Sequence, residues 1–214
     1  MPAHPSRIAP DLRADARQNR DRILEAAREA FAARGLDVPM AAIARRAGVG
    51  VATLYRRFPS RESLVTEVFA DQLTECVSVL DEALADPDPW RAFQKGIEKL
   101  CAMQVTDRGF TAAFLTAFPG AADYERARAR AEAGLAELVR RAKATGRLRA
   151  DFAVADLTLL LIANCGIAES VPDGAAASRR LVAYLLQSFR AENAAPLPPP
   201  PPLALDYVSR AFTG

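Results

Sequence analysis

Thr53, Tyr55, Arg56, Arg57 and Arg61 bring two hydroxyls and three guanidinium groups together in the stretch AGVGVATLYRRFPSRESL (47–64). Such groups bind an ordered polyanion: they donate to phosphate oxygens, and an arginine fork also matches the O6 and N7 edge of guanine. The charge distribution agrees. The chain of 214 residues has a net charge of only +2, but residues 1–61 hold 12 Arg against 6 acids, +6, leaving −4 on residues 62–214. A basic amino-terminal quarter on an acidic body marks the end that meets a polyanion.

Holding these side chains in one orientation is the task of short helices. Half the residues are hydrophobic and a quarter are charged, a composition rich in alanine, leucine and arginine and poor in β-branched runs, which predicts an all-α protein. Residues 1–16, rich in Pro, Ala and Arg, are expected to form a mobile arm. From about Arg17, Ile23, Ala27, Ala30 and Phe31 recur at helical spacing until Gly35 stops them. Pro39 opens a second helix in a favoured first-turn position, and a third spans about 50–58. Ala44, small where two backbones approach, and Gly48, four residues on and free to adopt the left-handed conformation, predict a helix-turn-helix over 39–58. An ordinary helical hairpin of an alanine-rich protein offers the same signal. Ser60 is placed as the N-cap of a long helix from Arg61 to about Ala85.

The flanking residues narrow the choice. Phe31 to Gly35, IARRAGV, TLYRRF and SRESL stand in order and at matching spacing over roughly residues 17–70, and this run resembles the TetR family of bacterial transcriptional regulators. The resemblance implies an amino-terminal three-helix DNA-binding domain (17–62) and a larger helical ligand-binding and dimerisation domain (63–193), followed by a proline-rich tail (194–214). Gly50, Val51, Ala52 and Thr53 then face base edges in the major groove, mostly small and apolar groups suited to close approach and thymine-methyl contact. By the resemblance Tyr55 places its hydroxyl on a phosphate, packing alone being the other reading. Arg56 and Arg57 add charge at the far end of that helix, one of them on a guanine or phosphate. Arg61, in a first turn where the dipole disfavours a cation, is expected to meet a phosphate over the helix end; pairing with Glu62 or another neighbour is the alternative. Many relatives carry Thr or Ser at the start of the second helix as a phosphate contact. This chain has Val38, Pro39 and Met40 there, and Met40 is counted with the contacts by position. Fewer polar groups on the bases leave more of the recognition to DNA shape.

In the body, VADLTLLLIANCGIA and LVAYLLQSF are apolar nearly all round, so each helix needs partners on both faces. A homodimer with a four-helix interface is expected, drawing on Leu157, Leu160, Leu161, Asn164, Leu181, Leu185 and Phe189; a buried central helix of a monomer is the competing reading. Trp90, Phe93, Met103, Phe110, Phe114, Phe118 and Tyr124 are candidates to line a pocket for a small apolar or aromatic effector, although aromatic residues at helical spacing also describe plain core. The expected function is a repressor released by its ligand from an inverted-repeat operator in double-stranded DNA, with an activator or a ligand-independent DNA-binding protein as alternatives. The run PLPPPPP (196–202) leaves room for an interaction protein using a polyproline ligand.

Other classes are disfavoured. The single histidine, His4, lies in the arm, which argues against histidine catalysis and histidine metal sites. Gly-rich phosphate loops and a serine nucleophile elbow are missing from the sequence, so no enzyme, metal or cofactor is expected. Cys76, Cys101 and Cys165 are far apart and lie in apolar helical contexts, as buried thiols do. The longest apolar run, LTLLLIA (157–163), is too short to span a bilayer, and a cytoplasmic, nucleoid-associated bacterial protein is expected.

Overall fold

The computed structural model describes residues 8–106, 108–116, 118, 120–193 and 195–200. Residues 1–7 of the expected arm, with His4, and residues 201–214 of the tail lie outside the described residues. Ten α-helices and one short 3-10 turn follow in order among the described residues, and the chain divides into two units, Met1–Val68 and Phe69–Gly214.

The first unit holds α1 (Ile8–Arg34), α2 (Met40–Arg46), α3 (Val51–Arg57) and α4 (Arg61–Val68). Helix α1 begins at Ile8, so residues 8–16 continue the helix that the sequence analysis started at Arg17. Alanine and arginine are good helix formers, and the Arg57 guanidinium donates to the Ala16 carbonyl at 3.0 Å, tying this part of α1 down. The α1 stripe of Ile23, Ala27 and Phe31 is buried with Ile43, Ala44, Leu54, Phe58, Leu64 and Val68 as one core. Between α2 and α3, Gly48 takes φ +66, and its neighbour Val49 donates to the Ala44 carbonyl at 3.0 Å. That closure needs a residue at positive φ, and the φ that costs an L-residue about 1–2 kcal/mol is free to glycine. Pro39 is the N-cap of α2 rather than its first helical residue, its carbonyl accepting from Ala42 N at 2.8 Å.

The long helix expected over 61–85 is two helices. Phe69 leaves helical geometry at φ −107, ψ 9, and α5 (Ala70–Leu84) begins after it. Its buried ring packs 6.3 Å from that of Phe110, and fitting the ring into the second unit's core outweighs continuing the backbone ladder.

The second unit adds α6 (Pro89–Thr106), α7 (Arg108–Leu115), α8 (Ala122–Ala144), α9 (Val154–Ser170) and α10 (Gly174–Ser188). Asp86 and Asp88 cap the start of α6, Asp88 Oδ1 accepting from Trp90 N at 3.0 Å. Gly174 lets α10 approach α9 closely, because a Cβ there would overlap the Ala168 carbonyl. Between α8 and α9, Arg149 grips Asp151 through two hydrogen bonds of 2.5 and 2.8 Å, and it donates to the carbonyl of Ala195, beyond α10, at 2.5 Å. This pair fastens the root of the proline-rich segment, whose residues 195–200 are exposed. Among the described residues no helix is long and apolar enough to cross a membrane.

Candidate functional site

Helix α3 is a seven-residue rod mounted by two side chains. Leu54 and Phe58 are buried, and Phe58 N closes the helix on the Leu54 carbonyl at 2.8 Å. The rest of the helix is turned outward apart from the half-buried Thr53: Val51 is 42% and Tyr55 47% exposed, with Gly50, Ala52, Arg56 and Arg57 also exposed. The Tyr55 ring is therefore presented to solvent rather than packed away. Gly50 caps the helix from extended backbone and brings no side chain to its leading end.

Met40 departs from the expectation. Its side chain is 5% exposed and belongs to the core under α2, because a thioether gains more from burial than from a phosphate it cannot bond. The contact attributed to this position is not available to its side chain.

Ser60 caps α4 as expected. Its Oγ accepts from Ser63 N at 3.2 Å and its own N–H donates back to Ser63 Oγ at 3.2 Å, a reciprocal box. Arg61 follows in the first turn, but its guanidinium is engaged, donating to Asp37 Oδ1 at 3.0 Å and to the Leu36 carbonyl at 3.4 Å. The partner is neither Glu62 nor a phosphate but Asp37, which lies 24 residues earlier and carries no local signal. Arg46 pairs with Glu29, and Arg20 with Glu67. Among the described residues of this unit, Arg17, Arg22, Arg28, Arg34, Arg45, Arg56 and Arg57 have no carboxylate partner, although Arg22, Arg28 and Arg57 donate to Asn19 and to the Val68 and Ala16 carbonyls.

In the second unit the candidate pocket residues fall into separate clusters. Trp90 stacks on Phe93 at 5.7 Å, and Phe93 meets Phe152 edge-on, which in turn meets Phe189 at 4.8 Å. Phe110 contacts Phe69 and Phe114, while Phe118 stands edge-on to Tyr124 at 5.5 Å. Met103 is half-buried. Among the described residues the buried Tyr124 hydroxyl has no hydrogen-bond partner, and burial pushes its pKa up. A groove of about 510 Å³ lies between α6 and α10, lined by Cys101, Val105, Ser178, Arg179 and Val182 among others; it includes none of the expected pocket residues.

The expected dimer contacts also need correction. Leu157, Leu160, Leu161 and Asn164 are buried inside the single chain. Asn164 sits in a polar network, donating to the Gln104 side-chain oxygen at 2.9 Å and the Cys101 carbonyl at 3.2 Å, and accepting from Ser178 Oγ at 2.7 Å. Gln104 continues it to Thr111 at 3.0 Å. A buried amide must be hydrogen-bonded, and here its partners lie on α6 and α10 of its own chain. Phe189 spends its ring on Phe152 within the chain, and like Leu181 and Leu185 it is half-buried. Among the described residues of α9 and α10, the large apolar side chains left outward are Val154, 36% exposed, Leu159, 43% exposed, and Tyr184, 58% exposed. An α9 apolar on every side gave periodicity nothing with which to separate its inner from its outer face.

Comparison with known proteins adds the family. Residues 23–68 match the model of bacterial regulatory proteins of the tetR family, and residues 88–191 match that of the SbtR-like transcriptional regulator C-terminal domain. A TetR transcription regulatory protein from Mycobacterium vanbaalenii is 35% identical, over 84% of this chain and 99% of its own, with a TM-score of 0.47. The TetR regulator SCO0520 from Streptomyces coelicolor is 31% identical, over 80% of this chain and 98% of its own, with a TM-score of 0.48. A tetR-family regulatory protein from Rhodococcus RHA1, 15% identical over 80% of this chain and 96% of its own, shares the fold at a TM-score of 0.63. Comparison with the curated proteins returned no match.

Proposed function

This chain belongs to the TetR family, a DNA-binding transcriptional regulator rather than an enzyme, and from that premise we propose that it is a homodimeric repressor released from an inverted-repeat operator by a small ligand. The observation that carries the reading is the outward face of α3, where Val51, Ala52, Tyr55 and Arg56 are exposed over the buried Leu54 and Phe58. That face enters a major groove, and small groups at its leading end permit close approach to base edges. Tyr55 and Arg61 hold phosphates on either side, Arg61 exchanging Asp37 for the nucleic acid.

Dimerisation uses the outer faces of α9 and α10. Leu159 and Tyr184, with the half-buried Leu181 and Leu185, support an isologous four-helix contact. Two heads one helical turn apart then match an inverted repeat. The effector is an aromatic or apolar molecule carrying a hydrogen-bonding group. What supports it is the unpartnered Tyr124 hydroxyl beside Phe118, since a buried hydroxyl without a partner costs about 1–3 kcal/mol that a ligand group recovers. Ligand binding favours the form whose heads do not fit DNA.

Selection of random duplex DNA by the purified protein, with sequencing of the retained pool, tests the reading. An enriched inverted repeat with half-sites about one turn apart is expected. No retention at low salt by folded protein sinks it.

A further inference from the structure

We infer that the third turn of α1 is a second DNA-contacting element, in which Arg17 takes a backbone phosphate flanking the half-site and Arg57 is the positioning residue that holds it there. This rests on α3 being the recognition helix. Arg57 is the last residue of α3, where that helix leaves the groove at its sugar-phosphate edge. One amino group of its exposed guanidinium, Nη2, is committed to its own chain, donating to the Ala16 carbonyl at 3.0 Å. Whatever is bonded to Arg57 lies beside the phosphates bordering the groove, and that is the peptide just before Arg17.

The same face of α1 is anchored further along. Ala16, Arg20, Ile23 and Ala27 follow one another at three- and four-residue spacing; Arg20 pairs with Glu67, and Ile23 and Ala27 are buried. The third and fourth turns of α1 are thus tied to α3 through Ala16 and to α4 through Arg20. Arg17 lies next to this stripe, exposed and without an ion-pair partner among the described residues. Its two acidic neighbours do not neutralise it: Asp21, one turn on, is turned to Arg20 at 3.7 Å, and Asp15 forms no ion pair among the described residues. A cation held beside a polyanion, with no carboxylate to give up, binds without first breaking an internal pair. Arg61, by contrast, must leave Asp37.

The test compares wild type, Arg17→Ala, Arg17→Lys, Arg57→Ala and the Arg17→Ala/Arg57→Ala double variant on the duplex recovered by selection, over a range of salt. Arg17→Ala is expected to reduce the slope of log affinity against log salt by about one unit per half-site, and to abolish ethylation interference at the flanking phosphates. Arg17→Lys is expected to keep the slope. Arg57→Ala is expected to lose the same unit, and the double variant no more than either single one. An unchanged slope for Arg17→Ala overturns the flanking contact. Additive losses in the double variant place Arg57 itself on a phosphate and overturn its positioning role. Should Arg57→Ala lose helicity by circular dichroism, Arg17→Ala, at an exposed site, still decides the contact. A wild-type protein that binds no duplex refutes the recognition-helix reading itself, an outcome distinct from wild-type binding with an unaltered Arg17→Ala slope.

Discussion

The Arg61 guanidinium and the Asp37 carboxylate stand 3.0 Å apart, joining the first turn of α4 to the loop before α2. The acid offsets the helix dipole's repulsion of a cation and competes with any phosphate for it. Arg61→Ala is expected to weaken binding to all duplexes alike and flatten the salt dependence by about one unit per half-site. Asp37→Asn is expected to tighten binding by roughly two- to fivefold, the worth of an exposed pair. Fluorescence anisotropy titrations at several salt concentrations check both, and an Asp37→Asn protein that binds more weakly contradicts the competition.

Gly174 and Gly48 separate two reasons for a glycine. At Gly174 a Cβ meets the Ala168 carbonyl, so Gly174→Ala must push α10 off α9, at about 1–3 kcal/mol. At Gly48 an added Cβ meets nothing within 4 Å, and only the φ of +66 is penalised, by about 1–2 kcal/mol. Urea unfolding measures both. Gly174→Ala is expected to lower the melting temperature of the second unit, and a neutral result there refutes the close approach.

Leu159 and Leu160 are sequence neighbours with opposite surroundings, 43% and 2% exposed. On the proposed dimer, Leu159→Glu leaves a folded monomer by sedimentation, whereas Leu160→Glu buries an unpaired charge and unfolds the chain. A Leu159→Glu protein that still sediments as a dimer moves the interface elsewhere.

Asp151 accepts hydrogen bonds from the Arg149 guanidinium, and this holds its pKa down to about 2. Asp86 is held to about 2 in the same way by Arg91. A carboxylate whose folded pKa is depressed contributes stability above the unfolded value, about 3.9, and loses it as pH falls toward the folded value. The melting temperature is expected to drop between about pH 4 and pH 2, and less steeply in Asp151→Asn and Asp86→Asn. Parallel pH profiles for wild type and both variants count against these pairs as the cause.

Residue type and spacing were enough for everything that depends on near neighbours. The turn at Gly48, the Ser60 cap, the burial of Leu54 and Phe58 and the exposure of the residues between them follow from helical periodicity and backbone sterics, which act over a few residues. TLYRRF and SRESL, quoted with the turn before them, sufficed to identify the family.

Contacts between distant segments were not legible in this way. Asp37 opposite Arg61, and Ala16 under Arg57, join residues brought together by folding, and no local pattern marks either pair. Met40 looked like a surface position because its counterparts in relatives are polar, yet its thioether went into the core. In α9, apolar residues all round carried no period, so Asn164 and Leu160 looked as ready for a partner chain as Leu159. Packing against α6 and α10 chose among them: the amide had to turn inward to carbonyls and side chains that satisfy it, and Leu159 was left facing out. Periodicity names a buried face only where a polar face opposes it; where none does, the arrangement of the neighbouring helices decides.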